Sequence, residues 1–171
     1  MDRVIFKTPH GSHLYGLAHE NSDEDFYTVV VRDKRGKRYK YAKQSIVDGV
    51  DSLTVDVGTW LRLCDKGVPQ ALEAMFSPVP LVDEVGALRN SYRVNFDHMR
   101  DTYQRTMQNF VVSGDDKRRR HALRLYLNLK VASRRGRFNP VLSDRQKWWM
   151  GQVLGLFSDE ELLGMLLSNG Y

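Results

Sequence analysis

Asp23 and Asp25 stand one residue apart in the stretch "SDEDF", and the pair Gly11-Ser12 precedes them by ten residues. If Asp25 opens a strand, side chains two positions apart share a face and lie about 6–7 Å apart along it. Two carboxylates that close repel unless a cation stands between them. A hard divalent cation such as magnesium takes oxygen ligands, often one or two carboxylates completed by substrate phosphates. Gly11 allows a ligand to approach the backbone, and free backbone N–H groups at a turn attract phosphate. The Ser12 hydroxyl adds a donor. In this order the stretch offers oxygens for a metal and donors for a triphosphate. Either half alone has a plainer reading, a turn or a solvated acidic loop.

The elements around the stretch fit that use. "RVIFK" (Arg3 to Lys7) and "DFYTVVVRD" (Asp25 to Asp33) read as strands, and "SLTVDV" (Ser52 to Val57) alternates as a third. Gly36 sits in a turn from which "RYKYAK" returns as a hairpin strand. From Gly58 onward the pattern is helical. Trp60, Leu61, Leu63 and Cys64 lie at helical spacing, and Pro69 suits a first helical position. "SYRVNFDHMRDTYQRTMQNFVV" predicts a long amphipathic helix, and "DDKRRRHALRLYLNLKVASRRG" predicts another that starts at an acidic pair and stops before Gly136. Ser143 and Ser158 are expected N-caps, the second with Glu161 in a capping box. The organisation is an α/β part, residues 1–80, followed by a helical part, residues 81–171. "SPVPLVDEVG" breaks the pattern at a soft boundary between Ser77 and Asn90.

Bulk composition narrows the classes. The 171 residues suffice for one good core. Apolar content of 42% and charged content of 27% are those of a globular protein, and no window nears the ~18 continuous apolar residues of a membrane span. The first residues lack the apolar stretch of a signal peptide. Cys64 is the single cysteine, so neither an internal disulfide nor a cysteine-based zinc site can form. A reducing cytoplasm is the expected location, host cytoplasm if the gene is phage-borne. The net charge of +5 and pI near 9.4 favour a polyanionic partner. The positive charge is concentrated in Asp33–Lys43, interleaved with Tyr39 and Tyr41, and in Lys117–Arg137. Aromatic rings among cations suit stacked bases and phosphates, though either block can equally be a solvated face.

Gly-Ser, ten residues, then Asp-x-Asp running into a strand resembles the signature of the DNA polymerase β-like nucleotidyltransferase superfamily. "GSHLYGLAHENSDEDFYTVVV" is similar to its branch of bacterial and phage nucleotidyltransferases associated with RNA ligase-like genes, where Gly11, Ser12, Tyr15, Gly16, Ser22, Asp23 and Asp25 all fit. Trp60–Pro78 and His121–Ser143 are similar to later helical segments of that branch. His10 and Glu24 depart from the apolar residues usual at those places.

The resemblance implies an α+β fold, a small mixed β-sheet nucleotidyltransferase core with a helical C-terminal part. It implies transfer of a nucleoside monophosphate from a nucleoside triphosphate to a hydroxyl or phosphate acceptor, with release of pyrophosphate. It further implies two magnesium ions, with manganese as a substitute, and a third carboxylate on a neighbouring strand. Asp51 and Asp56 are the candidates. Asp56 is preferred because a charge inside "SLTVDV" needs a reason to be there, while Asp51 sits in loop-like "DGVDS"; a helix cap is the plainer role for Asp56. Catalytic and metal residues are thus Asp23, Asp25 and Asp56, and nucleotide contacts Gly11, Ser12, Lys117, His121 and Arg124. The last three share one helical face. RNA, including tRNA, is the favoured acceptor, with a protein hydroxyl or a small molecule still open.

Other residues have plainer readings. Glu73 either orients a basic residue near the site or is an exposed helix carboxylate. Trp148-Trp149 reads as a core or interface anchor. His10, His13 and His19 are too irregularly spaced to favour a transition metal. Two rival functions stand beside the transferase. One is an inactive member of the fold that binds nucleic acid through its basic blocks, for which an acidic pair has no use. The other is a metal-dependent phosphoesterase, for which the His-Asp and paired-His patterns are lacking.

Overall fold

The computed structural model describes residues 2–32, 42–47 and 49–168. Four strands and two short helices form the first part: β1 (Arg3–His10), α1 (Gly11–Tyr15), β2 (Asp25–Val31), β3 (Ala42–Val47), β4 (Val50–Asp56) and α2 (Val57–Asp65). Then follow α3 (Pro69–Met75), β5 (Val82–Asp83), α4 (Gly86–Ser91), α5 (Phe96–Val112), α6 (Asp116–Arg135), α7 (Asp144–Leu156) and α8 (Asp159–Ser168). The architecture is α+β with a helical C-terminal part, as the sequence implies.

Among the described residues, five strands form one sheet in the order β3-β4-β2-β1-β5. Of these neighbours, β2 and β4 run parallel and the rest antiparallel. The boundary drawn near residue 80 falls just before β5, which pairs with β1. One apolar core runs across that boundary, from Phe6, Tyr27 and Val55 in the sheet to Leu123, Leu129 and Leu166 in the helices.

The sheet and helices lock together around Trp60. Its ring stacks on Phe6 at 5.2 Å, and its indole N–H donates to the Ala71 carbonyl at 3.1 Å. Both rings are wholly buried. Each such burial removes enough apolar surface from water to favour folding by roughly 1.5–3 kcal/mol. Gly67 ends this corner at φ +69, where a Cβ would lie 2.4 Å from the Met99 Cα, so α5 crosses against bare backbone.

The helix signals are realised with small shifts. Pro69 opens α3, Asp115 caps α6, and Ser143 and Ser158 each make the capping-box bonds. The long helix expected from Ser91 begins instead at Phe96, because the Asn95 side chain caps it; β5 lies inside the segment that breaks the pattern, and α4 follows that segment. Met99, Tyr103, Met107 and Val111 form its buried stripe. The hairpin strand expected at Arg38–Lys43 lies largely outside the described residues, as does most of the first basic block; Lys43 lies within β3.

Candidate active site

β1 ends at His10, which pairs with Asp25 at the start of β2. The chain then turns at Gly11 with φ +62, a left-handed conformation that costs glycine little, and enters the single-turn helix α1. A Cβ at Gly11 would fall 2.4 Å from Oδ2 of Asp25. The bare backbone of the Gly-Ser turn therefore lies directly against one of the two aspartates. Asp23 precedes β2 rather than sharing it, yet both carboxylates reach the same place.

That place is a cavity of about 460 Å³. Gly11, Ser12, Asp23 and Asp25 line one side, and Lys117 and His121 from the first turns of α6 line another. These are six of the residues expected from the sequence, brought together from segments about a hundred residues apart. The structure adds Arg120, one turn after Asp116, whose guanidinium makes no hydrogen bond or ion pair among the described residues. The periodicity of α6 contained it, since positions 117, 120, 121 and 124 follow one helical face. The cavity thus has acidic groups at the sheet and unpaired cations at the helix.

Electrostatics follow from this layout. Burial and then the neighbouring Asp51 carboxylate push the Asp25 carboxyl above its ordinary range, against the pull of His10. Burial, with Arg124 and Lys117 adding to it, lowers the His121 imidazole to about 4, so the ring is neutral at pH 7. His10 is lowered too, chiefly by burial, although Glu73 opposes the shift.

One expectation meets a different geometry. Asp56 does not line the cavity. It pairs in register with Val30, five positions along β2 from Asp25, and its carboxylate caps α2 by accepting from the Thr59 N–H at 2.9 Å and hydroxyl at 2.6 Å. The apolar strand tolerates it because the strand ends there and the helix start supplies donors. Asp51 is the residue that pairs with Asp25 across the parallel strands. Its Oδ2 accepts from the Gln44 amide at 2.6 Å, while its buried Oδ1 has no partner.

Arg124 is held differently from Lys117. It is 4% exposed, and its guanidinium is paired with Glu73. Glu73 is likewise not an exposed helix carboxylate but wholly buried. Its other oxygen accepts from the Tyr15 hydroxyl at 2.6 Å, and the Arg124 guanidinium lies 3.7 Å over the Tyr15 ring. Burial works against the Arg124 charge, but the Glu73 carboxylate outweighs it and raises the pKa. Tyr15, Glu73 and Arg124 therefore tie α1, α3 and α6 together beneath the cavity.

No three histidine, cysteine or acidic side chains among the described residues converge into a ready-made metal cage. The donor set still suits a hard cation. Asp23 and Asp25 face the cavity, Asp51 with its unpartnered Oδ1 pairs with Asp25 in the strand register, and substrate phosphates commonly complete such a sphere. Of the histidines, His13 contacts the Ser22 carbonyl at 3.4 Å and His10 lies 4.0 Å from Glu73. Trp149 stacks on Tyr126 as an anchor, whereas Trp148 is exposed.

With this geometry, the family assignment can be read against a site. Residues 2–146 match the family model RlaP, described as the RNA repair pathway DNA polymerase beta family. The chain belongs to this family. No curated protein matches it. The family covers every residue of the cavity described above, from Gly11 to His121. It makes the chain a DNA polymerase β-like nucleotidyltransferase-family protein linked to RNA repair. No helix among the described residues is long and apolar enough to cross a membrane.

Proposed function

We propose that the chain transfers a nucleoside monophosphate from a nucleoside triphosphate to a hydroxyl or phosphate acceptor on RNA, releasing pyrophosphate. The observation that carries this reading is the convergence of Gly11-Ser12, Asp23, Asp25, Lys117 and Arg120 on one cavity. An acidic pair facing unpaired cations is poorly suited to a passive phosphate-binding surface. It suits a ligand that brings both a metal and a triphosphate.

The residues divide the work. Ser12 and the backbone turn at Gly11 donate to phosphate oxygens. Lys117 and Arg120 neutralise the outgoing pyrophosphate charge from the helix side. Asp23, Asp25 and Asp51 would hold the magnesium ions, which supply activation of the attacking oxygen and stabilisation of the leaving one. Asp51 takes the role of third carboxylate, because its free oxygen stands beside Asp25. The third carboxylate, Asp51, would also accept the proton of the attacking hydroxyl. Catalysis of this kind rests on position and preorganised charge more than on covalent chemistry by the protein. An RNA acceptor agrees with the net charge of +5 and with the family's link to RNA repair.

The test supplies each of four α-labelled nucleoside triphosphates with magnesium to RNA and to protein in separate reactions, beside the Asp23→Asn/Asp25→Asn variant. Label on RNA that vanishes with the variant is the expected result. Label that survives the variant removes the aspartates from the reaction, and folded protein that neither transfers nor binds magnesium triphosphate overturns the reading in favour of a binding module.

A further inference from the structure

A second cavity of about 350 Å³ adjoins the first. The two share Gly11, Tyr15, Asp25 and His121 as a common wall. Their chemistry differs. The first carries the unpaired cations Lys117 and Arg120. The second has Arg124, whose charge is already answered by Glu73; rings and apolar groups (Tyr15, His121, Phe110, Val68 and Leu125) make up much of the rest of its wall, with Asp25, His10, Gln70 and Thr106 as its other polar members. Phe110 and His121 pack at 6.0 Å between centroids, and His121 meets Tyr15 edge-on at 6.2 Å.

Two polar atoms in this wall are buried without a partner, Nε of Arg124 and Nδ1 of His10. Buried polar groups are rarely left unpaired, and each is costly until a partner arrives. Arg124 Nε is a donor only, so its missing partner is an acceptor. Gln70 adds an exposed amide with both a donor and an acceptor. A charged phosphate chain would find no free cation here. A flat, uncharged heterocycle with hydrogen-bonding edges would find rings for its faces and donors for its edge.

We infer that the second cavity is the subsite for the nucleobase of the donor nucleotide. The inference rests on the proposed transferase reading and deepens it. A nucleoside triphosphate has its charge at one end and its base at the other. With the phosphates between Ser12 and the α6 cations, the shared wall at Asp25, Tyr15 and His121 leads the nucleoside into the second cavity. The neutral His121 ring stands at this junction and gives the base a face to stack on without repelling Arg124.

The experiment measures binding of α,β-methylene nucleoside triphosphates and of inorganic tripolyphosphate, each with magnesium, by calorimetry. The wild type is expected to bind at least one nucleotide tenfold or more tightly than tripolyphosphate. Thr106→Phe, which fills the cavity, and Gln70→Ala, at an exposed position, should each erode that preference severalfold while leaving tripolyphosphate affinity unchanged. Circular dichroism and melting confirm folding of both variants. Equal binding of nucleotide and tripolyphosphate by the wild type overturns the subsite alone, as does an unchanged preference in both variants. Binding of neither ligand overturns the transferase reading and the subsite with it.

Discussion

Asp51 stands opposite Asp25 in the register of the two parallel strands, whereas Asp56, on the same strand, caps a helix at its far end. Two aspartates five residues apart on β4 thus have separable roles. Asp51→Asn should lower transfer by two orders of magnitude or more without changing the melting temperature much. Asp56→Ala should leave turnover near wild type and cost about 1 kcal/mol of stability, the usual worth of an N-cap. Turnover and urea unfolding of both variants decide between them; a reversed pattern would restore Asp56 to the site.

The acidic site should be a source of instability until it is filled. Asp25 carries a raised pKa because burial and Asp51 both disfavour its charge. Asp25→Asn is therefore expected to raise the melting temperature of the ligand-free protein at neutral pH while abolishing transfer. Magnesium with a triphosphate should stabilise the wild type and have little effect on the variant, by the linkage of ligand binding to folding. A thermal-shift titration reads both effects.

The Glu73–Arg124 pair offers a test of buried charge. Removing one partner leaves the other charged and unpaired in the core, which typically costs 3–5 kcal/mol, roughly. Arg124→Leu should be destabilised on this scale. Arg124→Leu combined with Glu73→Leu should recover a large part of the loss, because the stranded carboxylate is gone. If the double variant is as unstable as the sum of the singles in chemical denaturation, the charges do not act as a pair.

His121 gives the stability a dependence on pH. Its folded pKa of about 4 lies below the ordinary 6.5, so the unfolded chain binds the proton more readily. Its contribution is complete above pH 6.5 and is lost as the pH falls towards 4. His121→Phe should flatten the acid limb of unfolding free energy against pH in that window. Urea titrations between pH 4 and 7 measure it, and identical slopes for variant and wild type would remove His121 as the cause.

What the sequence made legible followed local rules. The Gly-Ser turn, the acidic pair and the face of α6 depend on spacing within one or two turns of chain, and they meet in one cavity. The errors came from pairings between distant segments. Asp51 read as loop because Gly49 and Asp51 sit in "DGVDS"; an Asp-Gly dipeptide is equally a hairpin signal, and Val47 does pair with Val50. Taken that way, β4 starts two residues earlier and Asp51 comes level with Asp25. The apolar context of Asp56 suggests a charge in need of a metal, but a strand that runs straight into a helix already supplies N–H groups, the plainer of its two readings. The burial of Glu73 depends on an arginine fifty-one residues away, and no periodicity in α3 announces it. The helix α1 has five residues, too few for any periodic signal.

Arg119 lies in the first turns of α6 beside Lys117, Arg120 and His121, but it faces away from the cavity wall they form. It pairs with Asp159 at 3.1 Å and donates to the Phe157 carbonyl at 2.6 Å. Both partners lie beyond residue 146, where the family match stops. Phe157 and Asp159, at the joint between the last two helices, therefore act as a strut under the cationic end of α6. Under the proposed function, variation in that tail would tune how firmly the phosphates are gripped while the matched residues stay the same.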